Sequence, residues 1–374
     1  MYYLDTILRF IAISVVALVL LGCHTHHLAH APAAGYRYAT LLSKTEGDGY
    51  TQVTVANPWS PGTVLATYVL VPIDSVLPDS LPSGIVLRTP LHRTAVFTSV
   101  HCGLLYRLGV LGKVAAVADT AFIMLPEVHN QLRVQTVGDL GSSHRPNSEY
   151  LATLRPDAVL LSPLEGEKDQ LLHTLRLSPV WCADYMEPTP LARAEWVRFY
   201  GLLYGVPDVA DSLFARIEEA YDSLRILVQG VSERPKVLID LPMSGTWYTP
   251  GGRSYVASLL ADAGLHYAYA ADSTMGSIIT TAEQALLHSD ATRWLIRYYQ
   301  RATPYTMTQL SQDLSIAPYI AAFAQRGVYG CNTAVIPYYD ETPFAPHLLL
   351  RDLVRIAHPR LLPTDTLRYF APLN

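Results

Sequence analysis

The segment from Pro190 to Gly230 constrains the fold most, because it contains a long amphipathic helix between two regions in which strands and helices alternate. Its apolar residues recur at helical spacing, and its charged residues fall mostly off that stripe. The stripe consists of Val209, Leu213, Ile217, Tyr221 and Leu224. With Pro207 at its start and Gly230 just past its end, the pattern predicts a helix from Asp208 to Val228, about 30 Å long.

A helix of this length can connect two lobes, and we therefore interpret residues 190–230 as a bridge. The alternative is an ordinary helix inside one large domain. The chain has 374 residues, half of them apolar, which is enough for two or three domains.

Composition limits the classes of partner. The net charge of −5 provides no basic surface for a phosphate backbone, so we expect no nucleic-acid partner. The 24 tyrosines offer flat apolar faces with polar tips, which suit planar or amphipathic ligands. A tyrosine-rich surface without such a ligand is the alternative.

The N-terminus predicts export and a lipid anchor. Phe10 to Leu21 is an apolar run too short to span a bilayer, but suited to a signal peptide over residues 1–22. It ends in Leu-Leu-Gly-Cys, which resembles a bacterial lipobox with Cys23 as the lipidated residue. Residues 23–37 then form a tether to a membrane. An ordinary secretory signal is the alternative, and either one places the folded part outside the cytoplasm.

The remaining cysteines are Cys102, Cys182 and Cys331, without CxxC spacing. Two states are possible: one disulfide with one free thiol, or three free thiols.

Residues 38–90 predict an N-terminal extension of one or two β-hairpins. Gln52–Val55 and Thr63–Val71 alternate in the manner of strands, and Leu77–Pro90 is a Pro-rich connection.

Strands and helices alternate on both sides of the bridge, which predicts an α/β fold with one Rossmann-like lobe over residues 91–189 and another over 231–374. The predicted strands are Thr94–Thr98, Lys113–Ala118, Leu132–Val137, Asp157–Leu161, Pro179–Cys182, Lys236–Leu241, His266–Ala270, Thr292–Tyr298 and Gly327–Gly330. Thr280 and Glu283 fit a capping box at the start of a short helix.

Four segments, in order, resemble the substrate-binding proteins of bacterial importers for iron compounds and cobalamin. They are Thr94–His101 leading to Leu108-Gly109, Val114–Asp119 followed by Val137–Asp139, Glu149–Ser162 with its Leu-Arg-Pro-Asp turn, and Trp247–Tyr255 through Leu260–Gly264. The segment from Tyr185 to Trp196 and the N-terminal hairpins are similar to a subgroup from Bacteroides-like bacteria.

The resemblance implies two lobes around a cleft, an ABC transporter permease as partner, and no catalysis. Ligands of open α/β sheets bind beyond the carboxyl ends of the strands. The residues expected there are Ser99, His101, Asp119, Ser162, Tyr185 and Glu187 in the first lobe, and Met243, Trp247, Tyr248, Asp272, Tyr298 and Tyr299 in the second. This aromatic face suits a planar macrocycle or an aromatic chelate better than a small anion.

Haem, a ferric siderophore and cobalamin all remain candidate ligands, and we expect no further cofactor. Tyrosine, histidine and carboxylate side chains favour an iron compound. If the ligand is haem, His101, Tyr185 and Tyr298 are the candidate metal ligands.

Relatives of this kind dock onto the permease through a surface acid on each lobe. Glu165 and Glu167 are the candidates in the first lobe. The corresponding position in the second lobe falls near Arg253, which is basic, so either Asp262 substitutes or the contact is built differently.

An enzyme is the competing class, since a metal chelatase can share this architecture. The sequence has no HExxH, GxSxG, P-loop or GxGxxG motif in a fitting context. His101 with Asp119 would be the pair for such chemistry. A surface module without a transport role is the third alternative.

Overall fold

The structure is a computed structural model that describes residues 35–166, 170–300 and 303–374. The predicted signal peptide, Cys23 and most of the tether, together with Glu167, lie outside the described residues. No described helix is both long and apolar enough to cross a membrane.

The N-terminal extension is a sheet whose strands lie in sequence order. Its described strands are β1 (Leu42–Gly47), β2 (Tyr50–Ala56), β3 (Val64–Pro72) and β4 (Ile85–Thr89). The first three form the predicted antiparallel hairpins. Strand β4 corrects the prediction of a connection over Leu77–Pro90, because it returns and pairs parallel to β3.

The first lobe is a parallel sheet with helices on its faces. Its elements are β5 (Thr94–Val96), α1 (Ser99–Arg107), β6 (Val114–Val117), α2 (Pro126–Arg133), β7 (Gly138–Asp139), β8 (Gly141–Ser142), β9 (Arg145–Pro146), α3 (Ser148–Leu154), β10 (Ala158–Leu161), α4 (Gln170–Leu175) and β11 (Pro179–Trp181). The described strands run in the order β11-β10-β5-β6-β7, and β8 and β9 form a separate small hairpin.

The prediction of a strand over Leu132–Val137 is wrong. Helix α2 begins with Pro126 at its first position and continues through Arg133. It buries Val128, whereas Val134 just beyond its end is exposed, so the run of apolar residues here is not the buried strand that it resembles.

The bridge consists of α5 (Pro190–Glu195), α6 (Val197–Tyr204) and α7 (Pro207–Val228). The predicted long helix is confirmed, with its start one residue earlier. Gly205, in the left-handed conformation with φ of 70°, ends α6 and allows the chain to turn into α7.

The second lobe repeats the architecture. Its elements are β12 (Lys236–Ile239), β13 (Trp247–Pro250), α8 (Tyr255–Asp262), β14 (His266–Tyr267), β15 (Ser277–Thr280), α9 (Ala282–Leu286), β16 (Arg293–Tyr298), α10 (Met307–Asp313), α11 (Ala321–Ala324), β17 (Val328–Asn332), α12 (Tyr338–Glu341), α13 (Pro346–Ala357) and β18 (Ala371–Pro372). The described strands run in the order β14-β12-β16-β17-β18, and only β18 is antiparallel.

Two details of this lobe differ from the predictions. Strands β13 and β15 pair as an antiparallel arm that the sequence did not predict. The capping box lies one residue later than expected, on Thr281 and Gln284, because Thr280 is still the last residue of β15.

A continuous hydrophobic core joins the N-terminal sheet, the first lobe, the bridge and part of the second lobe. Helix α7 packs against α13 of the second lobe within this core. Cys102, Cys182 and Cys331 are buried in it as free thiols, which settles the question that the sequence left open.

Candidate functional site

The first-lobe sheet reverses its winding between β5 and β10, because the chain adds β6 and β7 on one side of β5 and then β10 and β11 on the other. Such a switch point leaves a crevice beyond the carboxyl ends of its two strands. Ser99 follows β5 and Ser162 follows β10, and both side chains are partly accessible.

The second-lobe sheet has its switch point between β12 and β16. Asp240, which follows β12 in the left-handed conformation with φ of 59°, accepts a hydrogen bond at 2.9 Å from Nε of Arg297 on β16, and a second guanidinium nitrogen completes a bidentate pair. Although burial acts to lower it, the pKa of Arg297 is raised by the Asp240 carboxylate. The positive charge of this guanidinium is therefore neutralised by a carboxylate of the same lobe.

The two lobes present aromatic rings to one another beyond these strand ends. Phe122, shortly after β6, and Tyr299, immediately after β16, have ring centroids 6.4 Å apart. Their exposed fractions are 62% and 48%, so both side chains are accessible to solvent. Aromatic faces of this kind stack with planar, apolar ligands.

Behind Tyr299 is a cavity of about 180 Å³ with several tyrosines in its wall. Tyr298 and Tyr305 pack with ring centroids 5.5 Å apart, and the Tyr305 hydroxyl donates to Asp313 Oδ2 at 2.8 Å. Tyr299, predicted from the sequence, is thus brought together with Phe122, which the sequence analysis missed, and Tyr298, also predicted, lies in the wall of this cavity.

His101 is buried and does not face the cleft. Its Nδ1 is hydrogen-bonded to the Thr98 hydroxyl, and its Nε2 lies 3.1 Å from Asp184 Oδ1 and 2.9 Å from the Tyr200 hydroxyl. Burial acts to lower the pKa of His101, but the neighbouring Cys182 and Asp184 raise it above the ordinary value. Both ring nitrogens are engaged, so neither is directed at a ligand here.

The pairing of His101 with Asp119, which would serve a chelatase, is not formed. The Asp119 carboxylate instead accepts the backbone N–H of Ser143 at 3.2 Å. No group of three or more metal-binding side chains is assembled within the described ranges.

Glu187 holds the N-terminal extension rather than a ligand. Its carboxylate accepts the backbone N–H groups of Thr40 and Leu41, at 3.0 and 2.9 Å, and the indole N–H of Trp196 at 2.9 Å. Burial raises the pKa of Glu187, although these hydrogen bonds act to lower it. The side chain is inaccessible because the extension covers it.

The neighbouring predictions Trp247 and Tyr248 point in opposite directions, as successive residues of a strand must. Trp247 is 1% exposed, stacks on Trp294 at 6.0 Å and donates to the Ile239 carbonyl. Tyr248 is half-exposed on the arm formed by β13 and β15. Only Tyr248 of this pair is placed to contact a ligand.

The remaining predicted residues lie in loops at or near the strand ends. Tyr185 follows β11, is partly buried and donates its hydroxyl to the Pro163 carbonyl. Met243 is exposed after β12. Asp272 accepts the N–H of Thr274, which lowers the pKa of its carboxyl group.

The lobes are also joined by a buried carboxylate that the sequence analysis missed. Asp340 on α12 accepts the backbone N–H of Met124 in the first lobe at 2.8 Å. Its backbone carbonyl lies against Gly103 of α1, where a Cβ would overlap it. The glycine therefore permits this close approach of α1 and α12.

Of the predicted docking acids, Glu165 is exposed in the turn beyond β10. The proposed second-lobe substitute, Asp262, is engaged instead by the bridge: it accepts the Tyr221 hydroxyl at 2.7 Å and forms an ion pair with Arg225 at 3.1 Å.

The candidate site residues that the sequence analysis missed differ in how strongly the sequence indicates them. Asp240 directly follows a correctly predicted strand, and Phe122 lies three residues beyond Asp119, so strand ends alone could have indicated both. Asp340 lies on a one-turn helix in a stretch without periodicity and carries no such signal.

Comparison with known proteins adds a family and a fold. The sequence profile of a family described as periplasmic binding protein matches residues 95–312. An uncharacterized lipoprotein of Methanocaldococcus jannaschii is 26% identical over 182 residues, which are 46% of this chain and 43% of that protein. The chain spans only about half the length of the relatives that it matches in this way.

Solved structures show the same fold at low sequence identity. An ABC-type Fe3+-hydroxamate transport protein from Saccharomonospora viridis is 19% identical, with a TM-score of 0.57 over 81% of this chain and 97% of that one. A molybdate periplasmic binding protein from Haemophilus influenzae is 15% identical, with a TM-score of 0.60 over 75% and 90% of the two chains. Both therefore share the fold of this chain over most of its length.

Proposed function

The chain belongs to the periplasmic binding protein family, and on that premise we propose that it is a lipoprotein that delivers an iron compound, haem or a ferric siderophore, to the permease of an ABC importer. Lipid on Cys23 would anchor it to the periplasmic face of a membrane. The structural neighbour from the Fe3+-hydroxamate transport system supports the choice of ligand class.

The observation that carries this proposal is the aromatic contact between the lobes. Phe122 and Tyr299 expose ring faces beyond the carboxyl ends of β6 and β16, with Tyr298 adjacent. A planar or aromatic iron chelate can stack on such faces. A small oxyanion such as molybdate needs free N–H or cationic donors, and Arg297 at the switch point is already paired with Asp240.

We propose Ser99, Asp119, Tyr185, Tyr248 and Tyr298 as further ligand contacts, because all are at least partly accessible near this edge. His101, Glu187 and Trp247 instead support the lobes from inside. If haem is the ligand, we propose Tyr298 as the first candidate metal ligand, because the Tyr185 hydroxyl donates to the Pro163 carbonyl and both ring nitrogens of His101 are hydrogen-bonded.

The permease contact is proposed to include Glu165 in the first lobe, with Glu167 two residues further along the chain. An exposed acid at this edge can pair with basic side chains on a membrane partner. Because Asp262 is bound to Arg225, we propose that the second lobe docks through a different side chain.

A titration of the full-length chain in detergent with haem, ferric hydroxamate, ferric catecholate and cobalamin tests the proposal. We expect one iron compound to bind at one equivalent, seen as a Soret shift for haem or as quenching of protein fluorescence for a siderophore. Tyr299→Ala should weaken that binding about tenfold, since a stacked ring contributes roughly 1–3 kcal/mol. Tyr319→Ala, at an exposed tyrosine away from the strand ends, is the matched control.

Each alternative has its own outcome in this experiment. Binding of cobalamin alone would assign a corrinoid carrier to the same aromatic cleft. Chemical conversion of the ligand with turnover would support the alternative that the protein is a chelatase. Absence of binding by all four compounds would contradict the proposed ligand class.

A further inference from the structure

The amino ends of the first-lobe strands form an edge that is rich in positive charge. These strands run parallel, so the segments that lead into them meet at one edge of the sheet, on the side away from the cleft. Five Lys or Arg side chains lie in these segments and form what we name the basic edge: Arg93, Lys113, Arg133, Arg155 and Arg176. Neighbouring strands are about 4.8 Å apart, so the row extends over roughly 20 Å.

These positive charges are not balanced by the first lobe. Asp157 is the one described acid of this lobe at the edge, and its Oδ2 accepts the backbone N–H groups of His92 and Arg93 at 2.7 and 2.9 Å. No ion pair between described residues includes a member of the basic edge. Lys113 donates to His92 Nδ1 at 3.0 Å, a contact that leaves the positive charge in place.

The other described acids of this lobe follow the carboxyl ends of strands or lie in the first turns of helices on the cleft side. A cation near the end of a helix stabilises the helix dipole, which accounts for Arg133, Arg155 and Arg176. Arg93 enters β5 without a preceding helix, so helix ends alone do not explain the row. Because the whole chain has a net charge of −5, composition does not reveal this local excess.

The corresponding edge of the second lobe is more nearly neutral. Lys236, at the start of β12, is paired with Asp290, and Arg293, at the start of β16, donates to two backbone carbonyl groups. Arg234 directly follows Glu233 in the chain. The excess of cations without ion pairs is therefore larger at the first lobe.

The described chain begins close to the basic edge. Gly35, its first residue, borders a cavity together with Leu202 at the end of α6 and Pro207 at the start of α7. Between these two residues, the Leu203 carbonyl accepts the N–H of Leu91 at 2.8 Å. Leu91 lies two residues before the first cation of the row, so the predicted tether leads to this end of the first lobe.

The predicted anchor is near enough in the chain for a membrane to reach this end. Cys23 lies twelve residues before Gly35, and twelve residues span at most about 43 Å. The bridge contributes two acids near the start of α7: Asp211, which pairs with Arg198 at 2.9 Å, and Asp208, which is exposed. The five cations still outnumber the acids around them.

We propose that the basic edge contacts the anionic lipid headgroups of the membrane that holds the anchor. The proposal rests on the lipid anchor proposed above. Anionic lipids attract Lys and Arg side chains that are held near the membrane surface. Contact at this edge leaves the cleft, on the opposite side of the first-lobe sheet, open to a ligand.

The test is sedimentation of the full-length Cys23→Ser protein with vesicles of phosphatidylcholine, with or without an equal amount of phosphatidylglycerol. Each cation near an anionic surface strengthens binding about fivefold. Arg155→Gln with Arg176→Gln should therefore weaken binding to the anionic vesicles about 25-fold. Arg326→Gln with Arg360→Gln, at exposed arginines of the second lobe, should leave it unchanged.

The apolar run of the signal peptide binds both kinds of vesicle and is the same in every variant, so the readout is the difference between the two vesicles. We expect the parent protein to prefer the anionic vesicles at least about tenfold. This preference should disappear in about 1 M salt, where the Debye length is about 3 Å. Both double variants should keep the circular dichroism spectrum of the parent.

Three results would overturn the proposal: equal binding to the two vesicles, a preference that survives high salt, or equal losses in the two double variants. Binding of poly-L-glutamate instead of the anionic vesicles, lost in Arg155→Gln with Arg176→Gln, would assign the edge to an acidic polypeptide. The vesicle results for the parent protein stand even if a variant does not fold. Mass spectrometry of the wild-type protein tests the anchor separately, and an unmodified Cys23 would contradict the anchor without altering the vesicle measurements.

Discussion

The first lobe is attached to its two neighbours through buried carboxylates, but the two junctions are built differently. At the N-terminal sheet, both oxygens of Glu187, at the end of the first lobe, and both oxygens of Glu195, on α5 of the bridge, accept hydrogen bonds. These come chiefly from backbone N–H groups of residues 37–41. At the second lobe, Asp340 has one oxygen bonded to the Met124 N–H, and the other has no partner within the described part of the chain.

The difference shows which junction is fixed. Burying a carboxylate is unfavourable unless hydrogen bonds replace its water, and the free energy of the junction depends on how completely they do so. Both oxygens of Glu187 and of Glu195 accept hydrogen bonds, so the N-terminal sheet is fixed to the end of the first lobe and to α5 of the bridge. Asp340 has fewer hydrogen bonds, so its protonation can change the strength of the contact between the lobes.

The largest expected effect comes from removing a fully bonded carboxylate. Glu195→Ala leaves three backbone N–H groups without their acceptor, the buried one of Ala39 and the partly buried ones of Arg37 and Tyr38. We expect a loss of about 3–5 kcal/mol in the free energy of unfolding, measured by urea denaturation.

Glu219→Ala is the control for this substitution, because Glu219 is exposed on α7. It should change the free energy of unfolding by less than about 0.5 kcal/mol. A loss for Glu195→Ala as small as that of the control would show that the N-terminal sheet is held by packing alone.

The next effect in size concerns the close approach of the lobes. In Gly103→Ala the new Cβ would overlap the Asp340 carbonyl oxygen, so α1 and α12 must separate. We expect destabilisation by roughly 2–3 kcal/mol, together with a larger radius of gyration in small-angle scattering. Gly112→Ala is the control, since no described atom lies within 4 Å of its Cβ position; equal effects of the two variants would contradict the contact.

Asp340→Asn should produce an effect of similar size and opposite sign that depends on pH. The folded-state pKa of about 6 lies above the ordinary value, so the folded protein binds more protons than the unfolded chain between about pH 4 and pH 6. Wild-type stability should therefore fall as pH rises through this window. Asn cannot ionise, so the variant should match the wild type near pH 4 and be more stable by about 3 kcal/mol at pH 8.

Thermal unfolding between pH 4 and pH 8 measures this difference, with Asp208→Asn as the control for loss of an exposed carboxylate. The control should reproduce the wild-type pH dependence. If the stability of Asp340→Asn fell with rising pH as steeply as that of the wild type, the ionisation of another residue would be responsible for the loss.

The same contrast explains what the sequence could predict. The α7 helix was predicted within one residue because its stripe of apolar residues is a local pattern, and strand ends located Tyr298 and Tyr299. The role of Glu187 could not be predicted, because its partner Thr40 lies 147 residues away in the chain. Likewise, nothing local connects Asp340 with Met124, which is 216 residues distant.

Burial was the second property that the sequence could not supply. His101, Glu187 and Trp247 have the right chemistry for ligand contact and lie next to strand ends, but each is covered by another part of the chain. Alternation along β13 places Trp247 and Tyr248 on opposite faces of the strand. Which of the two is buried depends on the pairing with β15, a segment whose sequence does not clearly predict a strand.

The smallest expected effect tests whether backbone or side chain holds the N-terminal segment. The Arg37 side chain is mostly exposed and pairs with Glu218, while its backbone N–H donates to Glu195 at 2.9 Å. Arg37→Ala removes the exposed ion pair but keeps the backbone N–H that donates to Glu195, so the free energy of unfolding should fall by less than about 1 kcal/mol. The difference between the variant and the wild type should shrink at high salt, because salt screens the exposed pair. Urea denaturation at low and high salt measures both quantities. A loss comparable to that of Glu195→Ala would mean that the Arg37 side chain, rather than the backbone bonded to the buried carboxylate, holds the sheet in place.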